Sequence, residues 1–72
     1  MQKKRVDVEN QIIGMINSGQ FPEGTKLPKE RDLAGQLGIG WILLREAVTV
    51  LETLGFLEVR RREGIFVRRI PI

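Results

Sequence analysis

A mainly α fold closed by a small β-hairpin is what the 72-residue sequence predicts. Three observations predict it. Residues 27–55 hold two helical patterns across a short glycine-marked turn, and Leu44, Ala47, Val48, Leu51 and Leu54 recur at spacings of three and four on one stripe of the second. A further helical pattern precedes this pair. Two short β-type runs around a Gly-containing loop follow it. Helix, helix, helix, hairpin is the order of a winged helix-turn-helix, three helices plus wing.

Each element has its own signals. Residues 1–5 read as a frayed basic arm, with Lys3, Lys4 and Arg5. Residues 6–18 form the first helix, with Val8, Ile12, Met15 and Ile16 on one face, Ile13 beside it, and Asp7 as N-cap or first-turn carboxylate. Gly14 costs this helix about 1 kcal/mol against Ala and suggests close approach of another element. Gly19 stops it. Pro22 and Gly24 exclude helix from residues 20–26, where Phe21 plugs the core and Leu27 is a second anchor. The second helix is residues 29–37, with Pro28 suited to its first turn and Leu33, Ala34 and Leu37 facing inward; Gly38 ends it. The third runs from Gly40 or Trp41 to Leu54, closed by Gly55 with Phe56 folded over the end. Residues 56–59 and 65–67 are the strands, and residues 68–72 are the start of a linker or tail. The domain proper is then residues 6–67. The hairpin is too small to stand alone and must lean on the helices.

Composition narrows the function. The chain has no Cys, His or Tyr, so thiolate and imidazole metal sites, disulfides and the commonest general base are excluded. No catalytic constellation, metal site or cofactor motif remains, and an enzyme is not expected. The net charge of +3 and the clusters at Lys3–Arg5 and at Arg60, Arg61, Arg62, Arg68 and Arg69 fit an acidic partner such as nucleic acid. No apolar run approaches the roughly 20 residues that cross a bilayer, and no signal-peptide core follows the basic start, so no membrane is expected and a cytoplasmic, nucleoid-associated location is the default.

Four pieces of sequence together resemble the N-terminal DNA-binding domain of GntR-type bacterial transcriptional regulators: PEGTKLP at 22–28, ERDLA at 30–34, REAVTVLETLGFLEV at 45–59 and GIFV at 64–67. The resemblance covers residues 6–67. It implies sequence-specific binding of a palindromic operator in double-stranded DNA as a homodimer. It also implies a larger C-terminal domain, outside this chain, that senses an effector ligand and supplies most of the dimer interface.

The helix at 41–54 would then lie in the major groove and the wing at 60–64 near the minor groove. On a wheel of 100° per residue, Trp41, Ile42, Arg45, Thr49 and Glu52 fall on the outward side of that helix. Arg45, in its first turns, can pair with guanine; the alternative is an ion pair with Glu46 or Glu52. Arg31 matches an arginine that reaches DNA in the family, and Lys29 stands where the family often has Ser and could reach a phosphate. Arg61 and Arg62 can neutralise phosphates, and Gly64 lets the wing tip approach a backbone. The plainer reading of the wing charges is protection of an edge strand.

One run departs from the family. Where members carry roughly Ser-Arg-Thr-Thr-Val-Arg-Glu, this chain has Gly40, Trp41, Ile42, Leu43, Leu44, Arg45 and Glu46. A base-reading Arg has become Trp41, and phosphate-holding hydroxyls have become Ile42 and Leu43. An exposed apolar patch marks an interaction surface. It meets DNA through thymine methyls, or binds protein (a second copy, another domain or a domain-swapped partner), or repacks inward with a shifted helix start. The alternative function is accordingly a protein-interaction or oligomerisation module that uses Trp41, Ile42 and Leu43 and binds DNA weakly.

Overall fold

The computed structural model describes residues 4–68; Lys3, Arg69 and the rest of residues 1–3 and 69–72, which carry most of the expected arm and tail, lie outside the described residues. The elements are α1 (Arg5–Asn17), α2 (Glu30–Leu37), α3 (Trp41–Leu54), β1 (Leu57–Arg60) and β2 (Gly64–Val67). They form the winged helix-turn-helix expected from the sequence.

α1 begins at Arg5, one residue inside the expected arm. Lys4 is its N-cap, and the Lys4 N–H donates to the Asp7 carboxylate at 3.2 Å. Asp7 is therefore a first-turn carboxylate at the third helical position and not the cap. Arg5 pairs with Glu9 one turn on at 2.8 Å, which spends the arm's last cation inside the helix. Gly14 admits no close neighbour: a Cβ there would stand in open space. It is a propensity cost without a packing return.

α2 starts at Glu30, with Lys29 as N-cap in extended conformation. Pro28 thus precedes the cap and does not sit in the first turn. The cause lies in the chain before it. Residues 25–27 run extended along β2: the Leu27 N–H donates to the Ile65 carbonyl at 2.8 Å, and the Val67 N–H donates to the Thr25 carbonyl at 2.9 Å. Lys26 and Phe66 make an antiparallel bridge. This third segment covers the outer edge of β2, so the hairpin leans on the turn after α1 as well as on the helices.

α3 is the central support. Leu44, Ala47, Val48 and Leu51 are buried on its inner stripe and pack with Val8 and Ile12 of α1, Leu33, Ala34 and Leu37 of α2, and Leu57, Ile65 and Val67 of the wing. Phe21 and Leu27 join them as anticipated. Leu54 does not: it is 58% exposed. At 100° per residue it lies roughly 70° off the centre of the stripe, and Gly55 turns the chain back there. The Phe56 N–H reaches the Leu51 carbonyl at 2.9 Å, so Phe56 and Leu57, not Leu54, close the end of the core.

β1 and β2 pair antiparallel, Leu57 opposite Val67 and Arg60 opposite Gly64. Both strands differ by one residue from expectation: β1 gains Arg60 and loses Phe56, and β2 gains Gly64. The turn is closed by the Glu63 N–H on the Arg60 carbonyl at 3.1 Å, with Arg62 at its third position and φ of 68°. Arg62 is the one non-glycine residue with positive φ among the described residues. A type II turn favours Gly there, and an L-residue costs about 1–2 kcal/mol. Arg62→Gly should therefore raise stability by up to about 1 kcal/mol after the added unfolded-state entropy of glycine, read as an upward shift of the thermal midpoint. An unchanged or lower midpoint would show that the arginine is not strained.

Candidate nucleic-acid interface

The cations gather because three elements converge. α2 presents its N-terminal residues, α3 its first turn, and the wing its tip. An open groove of about 680 Å³ lies between them. Of the eight residues singled out from the sequence, six line it: Lys29, Arg31, Trp41, Arg61, Arg62 and Gly64. Trp41, Arg45 and Thr49 line a shallow depression of about 300 Å³ on the outward face of α3, together with Ile42 and Glu46. Trp41 belongs to both, so the two hollows meet at the start of α3.

Trp41 is 40% exposed, and its ring is flanked by two guanidiniums. The Arg31 Cζ lies 5.4 Å from the ring centroid and the Arg45 Cζ 5.1 Å, both within cation–π range. Arg45 also pairs with Glu30, Nε to Oε2 at 3.5 Å, across the gap between α3 and α2. The expected partners Glu46 and Glu52 are not used. Glu46 projects on the outer face, and Glu52 accepts the Val59 N–H at 3.4 Å, which ties α3 to β1. Arg31 makes no ion pair among the described residues.

The run at 41–43 separates into three environments. α3 starts at Trp41, with Gly40 as an extended N-cap whose carbonyl accepts the Leu44 N–H at 3.1 Å. A shifted helix start is thereby excluded. Leu43 packs against the core and leaves the apolar patch. Ile42 is 72% exposed. The patch of three expected from the sequence is therefore one bare isoleucine beside a tryptophan largely engaged by arginines.

Thr49 donates its hydroxyl to the Arg45 carbonyl at 2.9 Å, which leaves its oxygen lone pairs facing outward. In the wing, Arg60 pairs with Glu58 on its own strand, and its guanidinium lies 4.3 Å from the Phe66 ring across the hairpin. That hydrogen bond and charge hold the Glu58 carboxyl below its ordinary range and the Arg60 guanidinium above its own. Arg60 is thus engaged within the wing. Arg61 and Arg62 are exposed at its tip and make no ion pair among the described residues.

Lys26 is the residue that the sequence did not announce. It lines the groove, and its Cε is 2.6 Å from where a Cβ on Gly64 would stand. Gly64, with φ of 123°, makes room for this lysine stem as well as for the turn. No local signal marks Lys26, because its place depends on residues 25–27 running along β2.

The sequence pattern described as bacterial regulatory proteins, gntR family, matches residues 4–67. The chain belongs to the GntR family. This GntR-family domain is 40% identical over 62 residues to an HTH-type transcriptional regulator of Mycobacterium tuberculosis, an alignment covering 86% of this chain and 51% of that one. It is 36% identical over 66 residues to the Uxu operon transcriptional regulator of Escherichia coli, covering 92% of this chain and 26% of that one. The chain thus spans about half of the first relative and about a quarter of the second. Among solved structures it is similar to the AraR DNA-binding domain in complex with operator ORX1, with a TM-score of 0.83, 31% identity, and 93% and 81% of the two chains covered. The GntR of Streptococcus agalactiae superimposes with a TM-score of 0.81 at 34% identity, over 89% of this chain and 31% of that one. No helix among the described residues is long and apolar enough to cross a membrane.

Proposed function

We propose that this chain is the operator-reading domain of a bacterial transcriptional regulator, with α3 in the major groove of double-stranded DNA and the wing, residues 60–64, beside the minor groove. The observation that carries it is the convergence of Lys29, Arg31, Arg61 and Arg62 on one groove that joins, at Trp41, the face of α3 bearing Arg45. Arg45 and Arg31 read bases, Lys29 and the wing arginines hold phosphates, and Trp41, Thr49 and Gly64 lie at the contact. The similar AraR domain was crystallised on operator DNA, which supports the same use here. The proposal extends to a homodimer on a palindromic site, an effector bound by a further domain, a cytoplasmic home and a role that is not enzymatic; membership in a family of regulators supports this reading.

The test is titration onto mixed-sequence duplex DNA at two salt concentrations. The logarithm of the binding constant should fall with log salt by about 0.9 per phosphate contact. Absence of binding at low salt would sink the proposal. The second reading, a protein-interaction module, keeps one specific observation in its favour, the bare Ile42. It predicts concentration-dependent self-association with weak DNA binding or none.

Glu30 is an anion inside this interface, and it draws on Arg45. Glu30→Gln should raise affinity for mixed-sequence DNA and steepen its salt dependence, because Arg45 is released to phosphates. Preference for a selected sequence over the mixed duplex should narrow, because Arg45 loses one of its two holds. Competition binding with the two duplexes reads both effects; weaker mixed-sequence binding would contradict the assignment.

A further inference from the structure

Building on the DNA-binding reading, we propose that Trp41 is a positioning residue: its ring holds the guanidiniums of Arg31 and Arg45 ready for DNA, in place of the polar side chains that usually open this helix. Arg31 comes from α2 and Arg45 from α3, and both lie within cation–π range of the one indole. Arginine carries many rotamers, and ordering it during docking weakens binding. A guanidinium already held over a ring loses less on docking. A cation–π contact consumes none of the guanidinium N–H donors, so these remain for guanine or phosphate.

The two arginines are not held alike. Arg45 has Glu30 at 3.5 Å as well as the ring. Arg31 has the ring alone among the described residues. The proposal therefore carries an asymmetry: loss of the ring frees Arg31 more than Arg45. Trp41 is half-exposed and lies off the buried stripe, so the fold does not depend on it.

The test uses the whole chain and the tightest duplex it selects from a random-sequence pool. Trp41→Leu keeps apolar bulk and removes the aromatic face; it should weaken binding by about five- to tenfold with an unchanged thermal midpoint. Trp41→Phe should recover most of the loss. In the free protein the Nε–H resonances of Arg31 and Arg45 should show ring-current shifts that vanish in Trp41→Leu. A double-mutant cycle then decides between holding and touching. The effect of Trp41→Leu should largely disappear in an Arg31→Ala background and only shrink in an Arg45→Ala background. Strictly additive losses with both arginines would mean that Trp41 contacts DNA on its own account and would overturn the inference, leaving the DNA-binding reading intact. Failure of the wild-type chain to bind any duplex at low salt would overturn that reading and this inference with it.

Discussion

Arg45→Ala should weaken binding to the selected duplex by about 1–3 kcal/mol, ten- to over a hundredfold, and should relax preference at one base position. The guanidinium sits on the outward face of α3, a turn from its start, held by Trp41 on one side and Glu30 on the other. It is solvent-exposed, so its removal leaves no cavity. Its ion pair is partly exposed and contributes little to stability. The thermal midpoint should shift by no more than about 4 °C, at about 0.5 kcal/mol or less. Affinity for mixed-sequence DNA should fall much less than affinity for the selected duplex. An equal fall on both would make Arg45 a phosphate contact and not a reader of bases.

Leu51→Ala should have the largest effect on the fold. Leu51 has no exposed surface and lies where α3 meets the rest of the core. Truncating a buried leucine costs about 2–5 kcal/mol, by lost transfer energy and the cavity left behind. A domain of this length holds roughly 4–11 kcal/mol in all, at 0.05–0.15 per residue. The variant should therefore melt at least about 10 °C lower or fail to fold, with DNA binding lost in proportion. Leu54→Ala, one turn further along the same helix, should change stability by less than about 0.5 kcal/mol, because Leu54 is mostly exposed. Thermal unfolding of the two variants side by side checks the contrast; equal losses would show that the end of α3 is buried after all.

That contrast also marks how far sequence periodicity reaches. Spacing alone placed Leu44, Ala47, Val48 and Leu51 inward, since those four lie near the middle of the stripe. It placed Leu54 there too, because a wheel carries no information about where the neighbouring elements end. Gly38 and Gly55 signalled the helix ends correctly, as both are left-handed caps. Pro28 was misplaced by two residues because the pairing of residues 25–27 with β2, a contact distant in sequence, keeps the chain extended up to Lys29. Lys26 stayed hidden for the same reason.

The candidate interface divides along the same line. Its cations and their order along the chain were legible, because charge type, the helical wheel and a Gly-containing loop are local properties. Which carboxylate Arg45 meets, which ring Arg31 meets, and which of the apolar residues at 41–43 is bare were not. By sequence alone this protein was bound to be three helices and a wing, since capping, turn chemistry and apolar spacing act over a few residues. Only the tertiary structure could bring Glu30 and Arg31 of α2 to Trp41 and Arg45 of α3, because that meeting depends on how two helices cross over a shared core.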